Sequence, residues 1–168
     1  MNTENSILKK LRNQLPIGSL TWIGLRPYHK GTMTVVNSAE ALIDLGLQGD
    51  HRCDKSPGSG RQVTIISREY IEQIVRHLNR TTIDPSLLRR NLVIRGMNLN
   101  LLRHQHIRIG EANFELNALC HPCSRMNAAL GEGGATAMYG YGGYCAKVIK
   151  GGALSVGDSV QWLGEIGV

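Results

Sequence analysis

Aromatic residues are scarce in this chain: one phenylalanine and two tryptophans among 168 residues. Proteins that grip single-stranded nucleic acid interleave basic grooves with aromatic stacking platforms. The scarcity weighs against that role, and no recognition-helix signature is present either. No apolar run is long enough to span a bilayer, so a membrane partner is not expected. The segment from Met1 to Leu15 is polar and reads as a short amphipathic helix carrying Ile7, Leu8, Leu11 and Leu15, not as a signal peptide. A cytoplasmic, reducing setting is therefore expected, with the four cysteines, Cys53, Cys120, Cys123 and Cys145, free of disulfides. Long helices alternating with strands are also missing, which counts against a doubly wound parallel sheet.

What the chain has in excess is positive charge. Lysine and arginine total 19 against 13 acidic residues, a net charge of +6. Arginine dominates that total, and its planar fork of donors suits phosphate and carboxylate oxygens. A solvated basic surface and a small anionic ligand both fit this balance. The length fits one domain over residues 1–168, its core at about 18–163, with apolar content that is ordinary at 42%.

The apolar pattern predicts many short strands. Gly18 to Arg26 reads as a strand stopped by Pro27, and Gly31 to Asn37 as a second with Met33, Val35 and Val36 inward. Leu45 to Arg52 is turn-rich, and Asp54 to Gly60 is a loop by composition. Gln62 to Ile66 is a β-branched strand. Ser67 then caps a helix over Arg68 to Asn79, where Ile71, Ile74, Val75 and Leu78 share one face. Asp84-Pro85 opens a short second helix, and Leu92 to Arg95 returns to strand. Ile107 to Leu116 reads as a hairpin turning at Gly110-Glu111. His104 and His106 alternate on what reads as a sheet edge, a structural role. Tyr144 to Ile149, Ala153 to Val156 and Ser159 to Leu163 complete the strands, while the glycine-rich Gly131 to Gly143 reads as irregular. Many strands, tight turns and few short helices predict a mainly β fold, a closed or nearly closed barrel.

The most chemically informative segment is Cys120-His121-Pro122-Cys123, followed by Ser124-Arg125-Met126. Pro122 suits the first turn of a helix, with Met126, Ala129 and Leu130 at helical spacing behind it. Cys123 is then expected in that first turn, where free N–H groups favour a thiolate. Four explanations compete on residues alone. The pair could be two buried thiols, or part of a zinc site completed by Cys53 and His51, though no second Cys-x-x-Cys exists. It could be a thioredoxin-like redox pair, but the flanks are β-hairpins rather than a βαβ unit. Or one cysteine is reactive, ligating a soft transition metal or carrying sulfur. Around it, Arg61, Arg89, Arg90 and Asn91 are candidates to bind an anion, and His51-Arg52 sits in a turn beside them in sequence. His29 and His77 carry no pattern, and burial is the simplest account of Cys53 and Cys145.

Taken in order, Gly49-Asp50-His51-Arg52, Arg61-Gln62-Val63-Thr64, Arg89-Arg90-Asn91-Leu92-Val93-Ile94 with Gly96, Ile109-Gly110, Cys120-His121-Pro122-Cys123 with Met126, and Gly143 through Gly151-Gly152 to Gly157-Asp158 resemble the MOSC domain. This is the domain found at the C-terminus of molybdenum cofactor sulfurases, and the resemblance runs over roughly Gly18 to Leu163. It implies a MOSC-type β-barrel and a molybdenum cofactor (molybdopterin) held by one cysteine thiolate. The motif cysteine matches Cys123, which becomes the catalytic and metal-binding residue, with Cys120 an optional companion. The Arg-x-Asn element of the amidoxime-reducing relatives matches Arg89 and Asn91, and Arg61, His51 and Arg52 join them as cofactor-binding candidates. The resemblance further implies reduction of N-hydroxylated small molecules with electrons from a separate reductase. The alternative is a sulfur carrier that holds a persulfide on Cys123 and is served by a cysteine desulfurase. No pyridoxal phosphate site is expected in the chain itself.

Overall fold

The computed structural model describes residues 3–164 of the chain. Residues 1–2 of the expected N-terminal helix, and residues 165–168, lie outside that stretch. Helix α1 spans Thr3–Arg12. Leu8 and Leu15 are half-buried, while Ile7 and Leu11 stay exposed.

Strand β1 (Gly18–Leu25) organises the sheet. Leu20 and Ile23 are fully buried, and a register shift between Leu20 and Trp22 bends the strand between them. Such a bulge adds local twist, which closure of a sheet requires. β1 pairs with β6 (Leu92–Arg95) on one side and β11 (Ser159–Trp162) on the other. From β11 the ladder continues through β7 (His106–Ile109), β8 (Ala112–Leu119), β9 (Tyr144–Lys150) and β5 (Val63–Ser67) back to β6. The ring is a closed barrel of seven strands, as expected. Short β2 (Thr34–Val36) adds to β1 outside the ring. A small second sheet joins β3 (Ser38–Leu42), β4 (Gly46–Leu47) and β10 (Gly152–Ser155).

Two features differ from the sequence reading for topological reasons. Val35 is 57% exposed rather than inward, because β2 lies outside the ring; Met33, ahead of it, is buried, and half-buried Val36 packs against the core. His106 is not on an edge: β7 is paired on both sides, by β11 and β8, and the His106 ring meets Glu115 at 3.2 Å.

The ring is antiparallel except at β5–β6, where Ile65, Ile66 and Ser67 face Leu92, Val93 and Ile94 in parallel register. A parallel pair needs a crossover, and helix α2 (Arg68–His77) supplies it. The Ser67 hydroxyl accepts the Tyr70 amide at 3.1 Å and caps α2, and Ile71 and Ile74 bury its apolar face. The crossover covers the outer side of β5, so all five residues of that strand are buried. Asp84 and Pro85 start a 3₁₀ turn, Pro85–Leu88, rather than an α-helix. The single phenylalanine, Phe114, is fully buried in the core with Leu20, Ile23, Ile65 and Leu92.

Two short helices follow β8: α3 (Arg125–Leu130) and α4 (Gly134–Met138). α4 lies inside the stretch expected to be irregular. Gly133 ahead of it takes a left-handed conformation, so the glycines shape the entry to the helix rather than prevent it.

Candidate functional site

The strand directions bring one rim of the barrel together from distant parts of the sequence. β1 and β8 end there, β5 and β9 begin there, and the turn before β6 crosses it. A cleft of ≈ 200 Å³ opens at this rim. Its walls carry Arg26, Arg52, Arg61, Arg89, Arg90 and Arg125, and three cysteines, Cys120, Cys123 and Cys145, also line it. A second cleft of ≈ 310 Å³, lined by Lys30, Arg89 and Arg125, shares two of those arginines. The positive surface therefore continues from the cysteines outward.

A buried network holds the arginines in place. Asp50 lies at its centre, bonded to Arg26 by an ion pair of 3.0 Å. Its carboxylate accepts from the Arg26 amide at 2.9 Å, Arg26 Nη2 at 3.2 Å, the Arg52 amide at 3.0 Å and Asn91 Nδ2 at 2.8 Å. Burial pushes the Asp50 carboxyl up, and the bonds and charge of Arg26, with the Arg52 amide, outweigh it, so the group stays below its usual range. Asn91 is 1% exposed. Its amide donates to Asp50 and to the Gly24 carbonyl at 3.0 Å, and its Oδ1 accepts from Arg26 Nη2 at 3.0 Å and from the Thr64 amide and hydroxyl, each at 3.1 Å. All of its polar capacity is used inside the protein. Asn91 thus acts on the cleft through Arg26 and Thr64.

Arg90 is anchored in a different way. It is 7% exposed, and its guanidinium donates to three carbonyls: Gly142 at 2.7 Å, Leu88 at 2.9 Å and Cys120 at 3.2 Å. It ties the end of β8 to the approach of β9. A Cβ at Gly142 would overlap the Cys120 carbonyl, and one at Gly143 would overlap that of Ile65. Glycine is required at both positions for this closeness, and the positive φ of 81° at Gly143 reinforces it. Arg89 has a left-handed backbone, φ 57°, and bonds the Gly31 carbonyl at 2.7 Å. Burial, then the charges of Arg26 and Arg125, lower its pKa from the ordinary arginine value. Arg125 and Lys30 make no ion pair among the described residues, so charge in the outer cleft is left for a ligand to balance.

The cysteine segment departs from the expected geometry. The Cys120 amide bonds the Gly143 carbonyl at 2.8 Å, which extends the β8–β9 pairing by one residue. The chain then turns over His121, Pro122 and Cys123, and the cap of α3 is Ser124. Cys123 therefore lies ahead of the helix and outside its first turn; it is exposed, and its carbonyl accepts the Met126 amide at 2.9 Å. The thiol with the lowered pKa is Cys120. Hydrogen bonding with the Cys145 thiol, then the charges of Arg90, Arg26 and Arg61, outweigh burial and bring it to about 6. That same bond, with burial, pushes Cys145 up.

Of the residues singled out in the sequence, the cleft gathers Arg52, Arg61, Arg89, Arg90, Cys120 and Cys123. His51 is not among its walls; it sits in a 3₁₀ turn, His51–Asp54, edge-on to His29 at 6.0 Å. Cys53 bonds the Leu47 carbonyl at 3.0 Å. Among the described residues no group of three or more His, Cys, Asp or Glu is assembled to hold a metal ion, so the zinc alternative finds no gathered ligand set. Sequence reasoning missed Arg26, Thr64, Arg125, Met126 and Cys145. Thr64 and Met126 stand inside the recognisable motifs, and Arg125 follows the second cysteine by two residues. Arg26 reads only as a strand end.

The profile of the MOSC domain matches residues 50–161. Among solved structures, the YUAD protein from Bacillus subtilis superposes with a TM-score of 0.72 at 18% identity, over 86% of this chain and 94% of that one. YiiM from Escherichia coli gives 0.67 at 19% identity, over 89% and 72%. YiiM from Geobacillus stearothermophilus gives 0.69 at 14%, over 88% and 75%. At these identities the likeness is one of fold. No curated protein matches the chain.

Proposed function

The chain belongs to the MOSC domain family, a family associated with molybdenum cofactor binding or sulfur transfer, and from that premise we propose that it binds a molybdenum–pterin cofactor in the arginine-lined cleft and reduces N-hydroxylated small molecules. The observation that carries this reading is the combination at one rim: an exposed cysteine, Cys123, beside several arginine side chains that line a single cleft.

The donor set fits the group. A molybdenum centre takes a soft, deprotonated sulfur ligand, and Cys123 is the accessible one. The phosphate of a pterin cofactor takes guanidinium forks, and Arg61, Arg89 and Arg125 offer them where no carboxylate among the described residues pairs with them. When bound, the cofactor would supply two-electron redox chemistry at the metal. The protein's own contribution is to orient and neutralise. Arg26, fixed by Asp50 and Asn91, presents a charge that cannot swing away. Arg90 commits three of its five N–H donors to clamping the backbone under Cys120, so its main task is to shape the cleft and add its field. Electrons would come from a separate reductase, and the reading places the protein in the cytoplasm.

Molybdenum content of protein from a cofactor-competent host tests the reading. The wild type should carry the metal, Cys123→Ser should carry almost none, and Cys120→Ser should lose less. Equal molybdenum in wild type and Cys123→Ser would overturn it. A hydroxylaminopurine serves as first substrate once retention is established. The exposure of Cys123 favours a second reading, in which a desulfurase partner loads that thiol with a persulfide. A persulfide mass shift on Cys123 after incubation with a desulfurase, without turnover of hydroxylamines, would favour that reading.

A further inference from the structure

Cys145 has no part in the proposed chemistry, yet it lines the same cleft as Cys120, and the two thiols lie near enough for each to shift the titration of the other. The ladder explains the meeting. Leu119 pairs with Tyr144 across β8 and β9, and the next residue out, Cys120, bonds the Gly143 carbonyl. Cys120 and Cys145 therefore sit one step either side of a paired position, on the same face of two antiparallel strands, as diagonal neighbours. Arg90 fastens both backbones, holding the Gly142 and Cys120 carbonyls with one guanidinium. Gly142 and Gly143 let the segments approach closely. Cys123 is placed otherwise, beyond Pro122 and exposed.

From this geometry we infer that Cys120 and Cys145 form a reversible cross-strand disulfide when the protein meets a hydroperoxide. The Cys120 sulfur attacks one oxygen of hydrogen peroxide; the O–O bond breaks, and a sulfenic acid and hydroxide result. The Cys145 sulfur then attacks the sulfenic sulfur. The S–S bond forms, the S–O bond breaks, and the departing oxygen leaves as water with the Cys145 proton. Two thiols are oxidised by two electrons and one peroxide is reduced to water and hydroxide. A thiol reductant reverses the bond by exchange. The low pKa of Cys120 supplies the thiolate for the first step, and Cys145, kept protonated, carries the proton that the second step releases. Oxidation exchanges the thiolate at the floor of the cleft for a neutral disulfide while the arginines stay in place.

The test is peptide mapping of the full chain after hydrogen peroxide treatment and alkylation of remaining thiols. Trypsin cuts after Arg125, separating the peptide 109–125, with Cys120 and Cys123, from 126–147, with Cys145. We expect these two peptides joined, lighter by two hydrogens than their sum, and released by dithiothreitol. The join should persist in Cys123→Ser and vanish in Cys120→Ser. Loss of the join in Cys123→Ser would overturn the inference, as would sulfinic acid on Cys120 without any join. The wild-type map and the exposed-site variant Cys123→Ser are read first, so the result does not depend on how the buried variants fold. The chemistry needs no molybdenum, so its failure and that of the cofactor reading are separate results.

Discussion

Replacing Asp50 by asparagine removes the charge at the centre of the rim while keeping the side chain's shape. The carboxylate receives donors from Arg26, Arg52 and Asn91 at 2.8–3.2 Å. In asparagine one oxygen becomes an NH₂ that faces donors. With the retained oxygen at the Oδ2 position, the bonds from Arg26 Nη2 and the Arg52 amide are lost. Two hydrogen bonds at ~1 kcal/mol each, plus an arginine left without its counter-charge, put the destabilisation at ~3 kcal/mol. For a chain of this size that lowers Tm by about 6–12 °C. The loss should depend on pH in a definite direction. Held by Arg26 and the Arg52 amide, the Asp50 carboxyl titrates below the ordinary aspartate range in the folded protein, so the unfolded chain binds the proton more readily. Its stabilisation is complete above the unfolded value and is lost as the pH falls through the folded one. Urea unfolding of both proteins at neutral pH and at about pH 3 measures this. The gap should be full at neutral pH and narrower in acid. A gap below ~0.5 kcal/mol at neutral pH, which is the range of an ordinary surface substitution, or one unchanged in acid, would refute the account of the network.

Two further predictions concern the cysteine floor. Alkylation of Cys120 by iodoacetamide, followed by mass spectrometry, should rise with a midpoint near pH 6, and Cys145→Ala should move that midpoint upward by removing the thiol donor; an unchanged midpoint would show that the arginines alone set it. Gly143→Ala places a Cβ against the Ile65 carbonyl at φ 81°, so it should cost at least ~2 kcal/mol in denaturant midpoint at unchanged m, whereas Gly140→Ala, with open space around it at φ 84°, should cost only ~1 kcal/mol from its backbone conformation.

The strands were legible because each carries its own evidence. Leu92 to Arg95 and the hairpin through Gly110-Glu111 lie where alternation and turn residues put them. What pairs with what was less so. Closure of the ring joins Gly18 to Val160, and nothing local in either segment names the other. The exposure of Val35 has the same origin: its strand has the right composition, and only the position of β2 outside the ring turns that residue to solvent. The stretch Gly131 to Gly143, irregular by composition, is irregular except for Gly134–Met138, where the left-handed Gly133 leads directly into a helix.

The arginines show how the candidate site divides between the legible and the hidden. Arg61, Arg89 and the cysteine pair stood out because they belong to motifs that resemble the family. Their separate tasks did not. Arg90 and Arg89 are adjacent in sequence, but the left-handed backbone at Arg89 turns their side chains to different partners: Arg90 to three carbonyls beneath the cleft, and Arg89 to the Gly31 carbonyl beside the outer cleft. Arg26 had no motif to mark it, because the signal was divided between Asp50 and Asn91, each of which also makes sense as a turn residue. A buried carboxylate among the motif residues required a cation, and that requirement was the available clue to Arg26. Cys145 was hidden for the opposite reason. A buried cysteine on a strand is ordinary, and it acquires chemical meaning only through the register that carries Cys120 past the end of β8 to meet it.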